Sequence, residues 1–236
     1  MCKGKKRINS SQMNEPTVQE IVDNIKEEMK ECGWYNQLWS FLGSRDMKYI
    51  IEQLLEIKTT GGYICPHMYD LFRPYKECPF SKVRVVILTS LKSNEYGHHG
   101  IPLCQDILPV KALLMEGIGK DAKPLHWGKE GVLQLSTAMT STINAQHHHD
   151  IWKPWLGYVI NKINESYPDT IWVVIGKDAE KYTSHIKSPY KKGIRLWPSI
   201  KSYGAFEWIN DILLEREQPP IQWIPEKKTR GVKVPG

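Results

Sequence analysis

The sequence predicts an α/β protein built on a central parallel sheet with helices over both faces. Three observations carry that expectation. Val85, Val86, Ile87 and Leu88 are apolar at every position, as a strand buried on both faces requires. Runs of this kind alternate with helix-periodic stretches between residues 83 and 217, the rhythm of βαβ units. A chain of 236 residues suffices for one well-buried domain, whereas a split into two would leave each half small.

Residues 1–14 read as a flexible basic arm. Pro16 stands where a helix can open without needing its N–H, and Val18, Ile21, Val22, Ile25 and Met29 follow as one apolar stripe. A second helix is expected over 47–57, carrying Ile50, Ile51, Leu54 and Leu55 up to the Thr59-Thr60-Gly61-Gly62 break. The segment 63–82 is rich in proline and aromatic residues and reads as irregular structure packed on the core. Strands are expected at 83–88, 132–135, 171–175 and 194–197, with helices at 110–117, 151–164, 178–185 and 205–217. The domain then spans 15–225, and a basic tail occupies 226–236. No internal repeat or low-complexity segment interrupts this order.

With 41% hydrophobic and 25% charged residues the composition is that of an ordinary globular protein, and no run nears the ~18 apolar residues of a membrane span. The N-terminus lacks the apolar centre of a secretory signal, so an intracellular location without membrane association is expected. Cys2, Cys32, Cys65, Cys78 and Cys104 are odd in number and form no CxxC pair, which fits reduced thiols. The net charge is +6, and residues 177–201 hold six Lys and one Arg against Asp178 and Glu180. Such a run suits phosphate contacts, and equally a solvated face. Three adjacent histidines, His147, His148 and His149, lack cysteine or carboxylate partners at metal-site spacing, so neither metal nor cofactor is expected.

In a doubly wound sheet the working loops follow the strand ends. Yet the loop after the first buried strand, Thr89-Ser90-Leu91-Lys92-Ser93-Asn94, contains no carboxylate, glycine or cysteine. Other stretches give it a context: "KVRVVIL" at 82–88, "HHG" at 98–100, "LPVKALL" at 108–114, "WGKEGVLQLSTAMT" at 127–140, "WVVIGKDAEKY" at 172–182, "WPSIKS" at 197–202 and "PPIQWIP" at 219–225. In that order they resemble the main family of uracil-DNA glycosylases, over about residues 34 to 225. The resemblance implies a three-layer α/β/α sandwich with a central four-stranded parallel sheet, which binds DNA and takes a base flipped out of the stack.

Residue by residue, the family's Gly-Gln-Asp-Pro-Tyr-His falls on 89–94, so its water-activating aspartate is Leu91. The phenylalanine that stacks on uracil corresponds to Leu103, the asparagine that reads the uracil edge to Ser136, the histidine that stabilises the leaving anion to Trp197, and the intercalating leucine to Lys201. Leu103, Ser136 and Trp197 thus mark the base pocket. Pro109 and Lys111 lie in the stretch similar to the family's DNA-compressing loop. Lys187, Lys191, Lys192, Ser199, Lys201 and Ser202 are the expected phosphate contacts.

Glycosidic cleavage develops a sugar cation and a base anion, and Leu91 and Trp197 cannot support them as an aspartate and a histidine do. Asn94, Glu95, His98 and His99 are the residues that could orient a water instead. Trp197 reads either as a core tryptophan or as a plug and stacking platform in the old pocket. The expectation is a DNA-binding protein that has lost ordinary uracil excision and serves as a replication or repair accessory, with a protein partner in that process also open. Excision of a different, bulky modified base, and a pure protein-interaction module, are the alternatives.

Overall fold

A computed structural model describes residues 16–90, 100–104, 108–142, 147–194 and 204–225. Four strands, β2 (Val85–Thr89), β3 (Val132–Ser136), β5 (Ile171–Ile175) and β6 (Lys191–Ile194), form a sheet in the order β3-β2-β5-β6, with every pair parallel. The expected arm at 1–14 and tail at 226–236 lie outside the described residues.

Alternation along the strands divides the interior in two, because successive side chains point to opposite faces. Val86, Leu88, Leu133, Leu135, Trp172 and Val174 face the larger core. That core is closed by α1 (Val18–Glu31), α2 (Tyr35–Leu42), α3 (Arg45–Thr59), α4 (Arg73–Glu77), α6 (His149–Ser166) and α7 (Lys177–Glu180). Val85, Ile87, Val132, Ile171, Val173 and Ile175 face the other, beneath α5 (Leu108–Gly117), the 3-10 stretch Pro124–Glu130 and α8 (Ala205–Glu215). This is the three-layer α/β/α sandwich. Among the described residues no helix is long and apolar enough to cross a membrane.

Several local expectations are corrected. Thr17, not Pro16, sets the start of α1: its hydroxyl accepts from Glu20 N–H, and Glu20 accepts in return from Thr17 N–H, a capping box. Helix α2 was not anticipated, nor was the small antiparallel pair β1 (Ile64–Cys65) and β4 (Ser141–Thr142). The helix expected at 178–185 is a single turn, α7, followed by a 3-10 turn at Thr183–His185. The last strand begins at Lys191, three residues before the expected start at 194, and residues 195–197 lie outside the described residues. As an edge strand with only Ile194 buried, it needs little apolar content.

Candidate functional site

The register fixes where a site can form. Thr89, Ser136, Ile175 and Ile194 stand level at the C-terminal edge of the sheet. The chain passes from β2 to β3 on one side and then to β5 on the other, so the crevice between the ends of β2 and β5 is the topological switch point, where α/β sheets bind ligands. Ser90 N–H donates to the Ile175 carbonyl there (2.9 Å), and Gly176, at φ +92°, turns the chain into α7. Lys177, the first residue of α7, is exposed at this edge. It was counted only within the basic run, and its position one residue beyond the glycine that follows β5 was the signal that it stands at this edge.

Ser136 closes β3. Its hydroxyl donates to the Ala138 carbonyl (2.8 Å) and accepts from Ala138 N–H (3.3 Å), so its one proton is committed to a turn. A single lone pair is left. The residue can accept a hydrogen bond from a ligand but cannot offer the donor and acceptor together, as a side-chain amide does. Beside it lies a cavity of about 10 Å³, room for one water, walled by Tyr75, Gly100, Leu135, Ser136 and Met139 among others. Gly100, at φ +73°, passes so close to Asp70 that a Cβ would overlap its carbonyl oxygen.

Leu103 is placed elsewhere. It is buried in the core beneath α5, its N–H bonded to the buried Gln134 side chain (3.3 Å), whose amide group donates to the Pro124 carbonyl (2.7 Å). Leu103 and Ser136 therefore line different cavities. Sequence reasoning missed Gln134, a polar residue inside a strand that otherwise reads as apolar.

The cations of the basic run are also separated. Lys191 stands three residues before the strand end, level with Trp172, so about 10 Å below the loop edge. Its amine is held by the carbonyls of Ile186 (2.9 Å) and Thr183 (3.5 Å). Lys192 points to the opposite face, over the Trp208 ring at 5.4 Å. Lys187 is exposed at the same lower end, its N–H bonded to Asn164. These three expected phosphate contacts are therefore not grouped at the loop edge, because an edge strand presents consecutive side chains to opposite faces. Pro109 and Lys111 sit in the first turn of α5. Leu91, Asn94, Glu95, His98, His99, Trp197, Ser199, Lys201 and Ser202 lie outside the described residues.

The three histidines diverge. His148 is buried, its Nδ1 2.8 Å from the Thr140 hydroxyl, which also accepts from the Trp152 indole N–H (2.7 Å). His149 faces Asp178 at 3.7 Å. Among the described residues no three His, Cys, Asp or Glu side chains are grouped to hold a metal ion. Burial, reinforced by His147 and His149, lowers the His148 pKa from the ordinary 6.5, so the folded protein holds this ring neutral. The unfolded chain takes up a proton first as pH falls. This contribution to stability is therefore complete above 6.5 and is lost progressively below it. Urea midpoints measured on both sides of 6.5 should show that loss, and His148→Gln should reduce it; an unchanged pH dependence in the variant would refute the assignment.

No protein-family model matches the chain. Among curated proteins, uracil-DNA glycosylase of Proteus mirabilis is 23% identical over 214 residues, spanning 80% of this chain and 95% of that protein. That of Streptococcus thermophilus is 26% identical over 200 residues, spanning 74% and 90%. The crystal structure of mimivirus uracil-DNA glycosylase superposes with a TM-score of 0.67 at 18% identity, covering 92% of this chain and 96% of that one. The chain is similar to uracil-DNA glycosylases along most of its length and shares their fold. A variant of the mimivirus protein in complex with UGI shares the fold equally, with a TM-score of 0.65 at 18% identity. The likeness spans nearly the whole of these relatives.

Proposed function

We propose that the chain binds DNA on the glycosylase scaffold without excising uracil by the family's chemistry, and serves as a binding or accessory factor in replication or repair. The observation that carries this reading is Leu91, an aliphatic residue at the position of the water-activating aspartate. Trp197 in place of the anion-stabilising histidine and the committed hydroxyl of Ser136 support it. Each lost electrostatic group is worth about 3 to 4 kcal/mol of barrier.

Binding itself needs none of those groups. Lys201, Ser199 and Ser202 follow β6 in the sequence, and Lys177 stands at the neighbouring strand end. Together they offer phosphate contacts that do not read sequence. Fluorescence anisotropy at several salt concentrations tests this. Affinity should fall with a log–log slope of about 0.9 per phosphate contacted on duplex DNA, and Lys201→Ala should reduce the slope by roughly one for every probe sequence. Lys191→Ala should leave the slope unchanged, because its amine is occupied within the fold. A flat salt response would refute DNA binding through this edge.

The names of the curated relatives favour a second reading, in which a base, uracil or a modified one, is excised with Asn94, Glu95, His98 or His99 orienting the water. A pure protein-interaction module would bind no DNA at physiological salt in the same titration.

A further inference from the structure

The exposed apolar side chains are unevenly distributed. Eight large ones are exposed among the described residues, and Leu108, Met115, Leu125, Leu214 and Ile224 all belong to the layer formed by α5, Pro124–Glu130, α8 and the segment after it. Helix α5 packs against α8. The intervening segment is fastened to both sides: Asn210 of α8 exchanges hydrogen bonds with Ile221, and the Trp223 carbonyl accepts from the Trp127 indole (2.9 Å) and from Lys123 N–H (3.4 Å). Exposed apolar side chains concentrated on one layer point to an interaction site.

Charge says what covers it. Between α5 and Pro124–Glu130 runs an open groove of about 390 Å³, walled by Val110, Leu114 and Leu125 with Lys111, Lys123 and His126; among the described residues no carboxylate lines it. The outer stripe of α8 has the opposite character, with Glu207, Asp211, Leu214 and Glu215 exposed at helical spacing. One surface thus carries a cationic apolar groove and, beside it, an acidic helix with an apolar tip. DNA fits the α8 side of this face poorly, because its carboxylates repel phosphates.

We propose that this face is the interface of a two-fold dimer of the chain, in which α8 of each copy lies in the α5 groove of the other. A two-fold axis makes every contact twice, so groove meets helix and helix meets groove. An eleven-residue helix covers a strip of about 16 by 10 Å, so even the doubled contact is small beside the roughly 800 Å² per partner of a standard interface, and the dimer expected is a weak, concentration-dependent one.

Sedimentation equilibrium of the full chain tests this at about 1 to 100 μM protomer in ~0.15 M salt. The mass should rise with concentration from 27.3 kDa toward twice that value. Leu125→Asp should raise the dissociation constant about ten-fold or more. Lys123→Glu and Asp211→Lys should each weaken association by a similar factor, and together restore it to within about three-fold of the unsubstituted chain, because the swapped charges face one another again. Thermal melts of the variants distinguish loss of association from loss of fold, and the charge-swapped pair keeps the test available if Leu125→Asp fails to fold. A monomer throughout the range overturns the proposal, as does a dimer indifferent to all these changes or a double variant that stays monomeric. A monomer whose DNA affinity falls with Lys123→Glu would assign the groove to nucleic acid and also overturn it.

Discussion

Uracil release by the purified protein, from single- or double-stranded DNA, is expected to be at least about 10,000-fold slower than by the Proteus mirabilis enzyme assayed beside it. On the proposed reading, Leu91 and Trp197 stand where the family has two electrostatic groups. Leu91 cannot face a sugar cation or take a proton from water, and the Trp197 indole offers one weak donor to the departing base anion. At about 3 to 4 kcal/mol each, their joint loss is several orders of magnitude in rate even when the effects are not fully additive. Ser136 extends the prediction, since a hydroxyl whose proton is tied to Ala138 gives little discrimination for uracil over cytosine. Leu91→Asp alone should therefore leave the protein silent. Alkali cleavage of the product strand reads the outcome. Turnover near that of an ordinary family member refutes the proposed function, and so does its restoration by that single change. Abasic product from a hydroxymethylated or glucosylated substrate alone would favour excision of a modified base.

Much of the architecture was legible because burial on two faces writes itself into sequence. β2, β3 and β5 are near-continuous apolar runs, and their alternate residues feed two different cores. The start of β6 was misread by three residues because its Lys191-Lys192-Gly193 stretch has solvent on one side and needs no apolar pattern. The capping box at Thr17 and Glu20 was present as a motif and passed over in favour of Pro16. Nothing local announced the two-residue pairing of Ile64–Cys65 with Ser141–Thr142, which depends on segments far apart in the chain. The site divides in the same way. The assignment of residues to the family's positions rests on order along the chain alone. How the Ser136 hydroxyl is spent, that Leu103 is anchored through Gln134, and that Lys191 and Lys192 face apart are consequences of three-dimensional hydrogen bonding and register.

The largest stability effect expected of a single substitution outside the site is that of Trp155→Ala. Trp155 is fully buried in the larger core and meets Phe41, Phe72 and Tyr75 edge-on at centroid distances of 5.5, 5.4 and 5.7 Å. Its indole N–H donates to the Tyr75 hydroxyl (2.8 Å), joining α6 to α4. Truncation removes the buried ring, leaves a cavity and takes away the donor that Tyr75 relies on. Large-to-small core changes of this type cost about 3 to 5 kcal/mol, and a buried hydroxyl left without its partner adds about 1 to 3. At about 2 to 4 °C per kcal/mol, the melting temperature should fall by roughly 10 °C or more. Trp155→Phe keeps most of the apolar contact and loses the hydrogen bond, so its cost should be nearer 1 to 2 kcal/mol. Tyr75→Phe strands the indole N–H instead, and a double-mutant cycle between the two should return a coupling of about 1 kcal/mol. The same loss reaches the site, because Tyr75 also walls the cavity beside Ser136. Trp39→Ala is the control. That ring is 62% exposed on α2, and its removal should change stability by no more than about 0.5 kcal/mol. Equal melting temperatures for Trp39→Ala and Trp155→Ala would show that the aromatic cluster does not hold α4 and α6 together.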